Sequence, residues 1–207
     1  MIGDYITKHT SPVSTALQQI ERDTHVLVLG DDMISGAYQG KLLEMFSKMI
    51  NPVHVLEVGT FTGFSAICLA SGLREGGKVI TIEHNDELED IIRKNLAVVG
   101  VSDKVELRFG DAMTVLQTMS ESDFDLIYLD ADKERYAEYY ALLIDKLRSG
   151  GFLIIDNVLW HGKITDISAQ DKVTLLMRSF NDMVSSDGNV ECVMLSVRDG
   201  LTIVRKN

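Results

Sequence analysis

With 207 residues, 45% of them hydrophobic and 25% charged, the chain matches one domain with a sizeable core, and no long disorder is expected. Its formal charge of −11 repels phosphate backbones and argues against nucleic acid as the main partner. No apolar run approaches the roughly 20 residues a bilayer-crossing helix needs, and the opening "MIGDYITKHTSPVS" lacks a basic region followed by an apolar stretch, so cytoplasmic residence is expected.

In chain order, apolar residues first recur at helical spacing between residues 11 and about 23, at Val13, Leu17 and Ile20. A second amphipathic run covers residues 38–50, and Pro52 closes it. Short apolar strands then alternate with helices. "VHVLEVG" (53–59) is a strand, followed by a glycine turn and the helix "GFSAICLASGL". "KVITIEH" (78–84) is the next strand, and the helix after it opens at Asn85 or Asp86 with Glu89 completing a capping pattern. "KVELRFGD" (104–111), "FDLIYLD" (124–130) and "GFLIIDN" (151–157) continue the series, with helices near 112–119 and 133–148. The last two runs, 190–197 and 201–206, are joined by little more than Asp199-Gly200, a hairpin signal.

Strand–helix alternation with nearly unbroken apolar strands predicts a parallel sheet covered on both faces. The expected fold is α/β: a Rossmann-like, doubly wound, seven-stranded sheet. It has five parallel strands, a C-terminal hairpin with an antiparallel last strand, and extra N-terminal helices. No linker suggests a second domain, so residues 1–207 are expected to form one, with 1–52 contributing helices to the cofactor and substrate mouth and 53–207 forming the core. Cys68 and Cys192 lie in apolar segments without metal-like spacing, and both are expected to be buried thiols.

The turn after the first strand holds Gly59 and Gly63, where glycines let the backbone approach a ligand. The dinucleotide pattern G-x-G-x-x-G is not met, which disfavours a nicotinamide oxidoreductase. Glu57, two residues before the first glycine, would repel a pyrophosphate and suits a cationic cofactor. Glu83 ends the second strand, where an acid binds ribose hydroxyls in such sheets, and Asp111 ends the third.

Asp130 ends the fourth strand, and Asp156-Asn157 end the fifth. Consecutive parallel strands lie close together, so these side chains converge at one sheet edge. Two carboxylates and an amide oxygen form a hard oxygen set suited to Mg²⁺, Mn²⁺ or Ca²⁺.

"VLEVGTFTGFSA", "ITIEHN" and "FGDA" resemble the cofactor motifs of class I S-adenosylmethionine-dependent methyltransferases. Across almost the whole chain the resemblance is to the metal-dependent O-methyltransferases of the catechol and caffeoyl-CoA type, in its bacterial branch. That resemblance implies Glu83 on the ribose hydroxyls, Glu57, Gly59, Phe61 and Ser65 around the methionine part, and Asp111 and Ala112 framing the adenine. It also implies Met33 and Ser35 at the mouth, and the metal on Asp130 (which also belongs to the cofactor side), Asp156 and Asn157. Lys133 stands at the family's catalytic lysine, and Trp160, Arg198 and Asp199 on the acceptor side.

The implied acceptor is a small phenolic hydroxyl, probed best with vicinal diphenols. A phenol with its pKa near 10 is little ionised at neutral pH, and a metal with Lys133 as base overcomes this. Asp132 is placed to support the metal or Lys133, His161 is expected at the surface, and Asp199 also suits the turn itself. Acceptor selectivity is expected in the loops around 30–37 and 158–168 and in the last hairpin. The N-terminal helices offer a seam for a homodimer. The competing readings are a class I methyltransferase acting on RNA or protein and a non-catalytic cofactor-binding protein.

Overall fold

Residues 2–207 are described by a computed structural model. Three helices, α1 (Ile2–Lys8), α2 (Thr15–Leu27) and α3 (Gly36–Ile50), precede the alternating region. There follow β1 (His54–Val58), α4 (Phe64–Ala70), β2 (Lys78–Glu83), α5 (Glu89–Val99), β3 (Val105–Phe109), α6 (Ala112–Thr118), β4 (Phe124–Leu129), α7 (Tyr136–Lys146), β5 (Leu147–Asp156), α8 (Lys172–Ser185), β6 (Val190–Leu195) and β7 (Leu201–Lys206). The seven strands form one sheet in the order β3-β2-β1-β4-β5-β7-β6, the Rossmann-like arrangement expected from the sequence. By contacts the chain divides into two compact units, Met1–Val53 with Thr60–Gly110, and His54–Gly59 with Asp111–Asn207.

In the first unit β2 and β3 pair in parallel, with Glu83 opposite Phe109 at the C-terminal end. Helices α3 and α4 approach closely because Gly40 and Gly72 carry no Cβ: one at Gly40 would lie 2.5 Å from the Phe64 ring, and one at Gly72 2.2 Å from the Ser47 backbone. Helix α1 was not legible in the amphipathic pattern, because it buries none of its residues. Helix α2 starts later than its apolar spacing suggests. Ser14, not Ser11, accepts from the Leu17 amide at 3.2 Å and so caps it. Asn85 caps a short 3-10 turn by accepting from the Glu87 amide, and α5 begins only at Glu89.

In the second unit β1 pairs with β4 and β4 with β5 in parallel, while β7 runs antiparallel to both β5 and β6. Leu126, Ile127, Tyr128 and Leu129 are wholly buried, each such aliphatic or aromatic burial contributing about 1.5–3 kcal/mol. The hairpin turn is longer than its Asp-Gly signal suggests, running from Ser196 to Gly200, with Arg198 (φ 46°) and Gly200 (φ 88°) in the left-handed region. Strand β6 lies at the sheet edge with Val193 and Met194 about half exposed. Cys192 on that strand is exposed, which corrects the expectation of a buried thiol, whereas Cys68 is buried. An edge strand has a strand neighbour on one side only, and β6 is exposed along most of its length. No helix among the described residues is long and apolar enough to cross a membrane.

Candidate active site

In the second unit the register Leu129↔Ile155 makes Asp130 and Asp156 the next residues of two paired parallel strands. Neighbouring strands lie about 4.8 Å apart, so the two carboxylates leave the sheet at one edge. Asp130 is fixed from behind, its amide donating to the Val58 carbonyl at 2.9 Å. A Cβ on Gly59 would fall 1.9 Å from the Asp130 carbonyl, and Gly59 has φ +100°. Only glycine allows this approach of β1 to β4.

Asp156 is 4% exposed. Its Oδ2 accepts from the Tyr128 hydroxyl at 2.6 Å and its Oδ1 from the Asn157 amide at 2.7 Å, while its carbonyl accepts from the Tyr136 hydroxyl at 3.0 Å. These bonds fix the carboxylate at the sheet edge. Burial, then the charges of Asp130 and Asp156, push the Tyr136 phenol well above its ordinary range. Tyr136 is therefore a neutral donor, and both acids bear on the same spot. Asn157, at φ 58°, turns its amide nitrogen toward Asp199 Oδ2 at 3.5 Å, which points its amide oxygen away from that carboxylate.

Lys133 Nζ donates to Asp130 Oδ1 at 2.7 Å, with both side chains only 18% exposed, and it lies 5.6 Å above the Tyr136 ring. Asp132 accepts from the Glu134 amide at 3.1 Å and so caps the 3-10 turn Lys133–Arg135 that carries the lysine. The acids and base of "LDADK" thus separate into an edge carboxylate, a turn cap and an amine held against the carboxylate. The donor set at this edge is hard and anionic, which fits a divalent cation. It consists of two carboxylates and one amide, Asp130, Asp156 and Asn157. No group of three or more His, Cys, Asp or Glu among the described residues is placed to hold a metal.

Trp160 is half-buried at φ 47°, and its Nε1 is buried without a hydrogen-bond partner among the described residues. A buried N–H of this kind costs about 1–3 kcal/mol unless an acceptor reaches it. Asp199, expected on the acceptor side or as a turn residue, makes several hydrogen bonds to the preceding loop. Its carboxylate accepts from the His161 amide at 2.5 Å and from Asn157, and its carbonyl from the Leu159 amide at 2.8 Å, so it secures the loop after β5. His161 is exposed, as expected, and Arg198 stands in the adjoining turn. Glu57 is wholly buried in β1, opposite Tyr128. Asp111 caps α6, accepting from the Thr114 amide and hydroxyl and pairing with Arg135 at 3.0 Å, and these bonds lower its pKa, the Thr114 amide most. Ala112 opens that helix.

In the first unit Glu83 Oε2 accepts from the amides of Thr60 (3.2 Å) and Phe61 (2.7 Å), and Oε1 from that of Asn85 (2.9 Å). Asn95 Nδ2 donates to the Thr62 carbonyl, and the Thr24 hydroxyl to Thr62 Oγ1, securing the turn further. Two amides occupy Oε2 and one occupies Oε1, so a lone pair remains on Oε1, which suits a ribose hydroxyl. Phe61 holds φ 51°, Ser65 is buried in α4, Ser35 is buried just ahead of α3, and Met33 is 59% exposed. Sequence reasoning missed Tyr128, Tyr136, Asn95 and Thr62, whose roles are hydrogen bonds to partners distant in sequence.

Comparison with known proteins identifies the family. The profile of the O-methyltransferase family matches residues 7–207. A caffeoyl-CoA O-methyltransferase of Eucalyptus globulus is 33% identical over 186 residues, covering 84% of this chain and 75% of the relative. Among solved structures, the O-methyltransferase of Bacillus cereus in complex with SAH is similar at TM-score 0.91 and 28% identity, covering 100% of this chain and 97% of the other. The O-methyltransferase TomG of Streptomyces achromogenes, involved in tomaymycin synthesis and solved with SAM, is similar at TM-score 0.90 and 28% identity, covering 100% and 96%. The chain belongs to the O-methyltransferase family, as a class I S-adenosylmethionine-dependent enzyme.

The cofactor assignment gives an expected result at Glu83. Glu83→Gln keeps the size of the side chain but removes its charge and one acceptor, and calorimetry with S-adenosylmethionine should show about tenfold or weaker binding. Native affinity in the folded variant would remove Glu83 from the ribose contact.

Proposed function

We propose that the protein transfers the methyl group of S-adenosylmethionine to one hydroxyl of a small phenolic acceptor, a vicinal diphenol, with a divalent cation, Mg²⁺ by the donor chemistry, held by Asp130, Asp156 and Asn157. The observation that carries this reading is the Asp130–Asp156 pair in adjacent register, with Lys133 Nζ 2.7 Å from Asp130. Both acids end parallel strands at the sheet edge where ligands of such folds bind.

A cation held there supplies positive charge that stabilises a phenolic oxyanion. Lys133 Nζ takes the hydroxyl proton. The oxygen then attacks the methyl carbon in line, the carbon–sulfur bond breaks, and its electron pair stays on sulfur. Trp160 flanks the acceptor ring, its half-buried indole offering an aromatic face. Glu83 holds the ribose, Glu57, Gly59, Phe61 and Ser65 surround the methionine part, and Asp111 and Ala112 face the adenine. Asp130 borders the cofactor as well as the cation, and Met33 and Ser35 border the mouth.

The same reading takes residues 1–207 as one O-methyltransferase domain, working in the cytoplasm as a homodimer with neither nucleic acid nor membrane as partner. The match of the family profile over residues 7–207 supports the single domain. The deciding assay offers S-adenosylmethionine with vicinal diphenols and with the matching monophenols. Monomethylation of the diphenols, with little or none of the monophenols, is expected. Equal turnover of both, or of neither, would contradict the paired-oxygen reading.

A further inference from the structure

Between β5 and α8 the chain follows a route that little apolar burial secures. Asn157, Trp160, His161 and Gly162 have φ between 47° and 75°, a conformation that non-glycine residues keep only where their surroundings enforce it. Of residues 161–170 only Ile164 and Ala169 are even half-buried, and Ile167 is 89% exposed. Val158 anchors the start of this loop in the core, but hydrophobic contact does not set the shape of residues 161–170.

One side chain of α8 does. Arg178 donates from Nε to the Ile164 carbonyl at 2.9 Å, from Nη1 to Ala169 at 3.0 Å, and from Nη2 to Lys163 at 2.9 Å and Asp166 at 2.5 Å. Four of the five N–H donors of a guanidinium thus meet four carbonyls of the single segment 163–169. The segment curls to present them, the Asp166 amide donating to Lys163 and the Ala169 amide to Asp166. Lys163 and Ile164 follow Trp160 closely in the chain, beyond a kink at His161 and Gly162 that divides the stretch Trp160–Thr165, so the segment held by Arg178 bears on Trp160 through that kink. At the other end of the loop Asn181 Nδ2 donates to the Val158 carbonyl at 2.9 Å, and Asp199 accepts from the His161 amide. The end nearer β5 is thus held by Asn181 and Asp199, and the far end by Arg178.

We propose that Arg178 is a positioning residue of this enzyme: its guanidinium sets the shape of the loop that carries Trp160, and thereby the fit of the phenolic acceptor and which of its hydroxyls is methylated. This rests on the reading of Trp160 as the acceptor wall. A lysine carries its three donors on one nitrogen and does not span four carbonyls, so Arg178→Lys keeps the charge and loses the clamp.

The test compares native protein, Arg178→Lys, Arg178→Met and Trp160→Ala, with caffeate (an unsymmetrical vicinal diphenol) as acceptor. Four quantities are read: amide hydrogen exchange over residues 158–170, S-adenosylmethionine affinity, KM for caffeate, and the ratio of the two monomethylated products. In both Arg178 variants exchange over 163–170 should quicken, KM should rise about tenfold or more and the product ratio should shift, since small misplacements of a bound reactant cost up to about a hundredfold. Cofactor affinity should stay native. Native exchange in Arg178→Met overturns the clamp itself. Faster exchange with native KM and product ratio overturns its role in acceptor fit. A Trp160→Ala variant with native KM and product ratio, or native protein that methylates no vicinal diphenol, overturns the underlying reading of the site instead. If Arg178→Met fails to fold, Arg178→Lys gives the same four readings.

Discussion

Lys133→Ala is expected to lower kcat on a vicinal diphenol by about 10²–10⁴-fold, the usual contribution of a positioned acid or base, with S-adenosylmethionine affinity near native. The lysine is held at the sheet edge by Asp130 and by the turn that Asp132 caps. A base acts on the transition state and little on ground-state binding, so the loss should appear in kcat and kcat/KM together. Lys133→Arg separates two roles. If the amine only contributes positive charge beside Asp130, arginine restores much of the rate. If it accepts the proton, arginine fares little better than alanine, because a guanidinium stays protonated at any working pH. Near-native kcat in Lys133→Ala would remove the general base from the mechanism.

The second large effect is expected at Asp156. Asp156→Asn keeps one oxygen, which can accept from the Asn157 amide, while its new NH2 group can donate to the Tyr128 hydroxyl oxygen, and so it limits the cost of an unsatisfied buried donor. It removes the negative charge at the edge. Calorimetry should show Mg²⁺ affinity falling by about tenfold or more, and activity should fall about a hundredfold or more with the lost stabilisation of the oxyanion. Tyr128→Phe is the control: it leaves the charge but removes one hydrogen bond that fixes the carboxylate, and a smaller loss is expected. A folded Asp156→Asn variant with native Mg²⁺ affinity and native turnover would reduce Asp156 to an ordinary strand-end acid.

The order of elements, the parallel strands and the antiparallel end were legible in the sequence, because continuous apolar runs and Gly-marked turns are local signals. Helix α1 was not, since it packs no stripe into a core. The start of α7 was read three residues early, because Asp132 caps a 3-10 turn before the α-helix proper. At the site, Asp130 and Asp156 stood out as acids ending apolar strands, and the register brings them side by side. Tyr128 did not, for it reads as one more apolar residue of β4 although its hydroxyl meets a carboxylate 28 residues further on. Asp111 and Asp199 show the opposite ambiguity. An acid at a strand end or turn looks the same whether it caps backbone amides or faces a ligand, and here both carboxylates accept from backbone amides. Arg178 reads as an ordinary charge on an amphipathic helix, and only the folded loop supplies its four carbonyls.

The most direct test strips the purified protein with a chelator, removes the chelator, and follows methyl transfer from methyl-labelled S-adenosylmethionine to caffeate while Mg²⁺ is added back. Little or no labelled product is expected from the stripped protein. Activity should return with Mg²⁺ in the native chain and not in Asp156→Asn, while cofactor binding persists throughout. Full methyl transfer by stripped protein, or none to any vicinal diphenol with Mg²⁺ restored, would contradict a metal-assisted phenol O-methyltransferase.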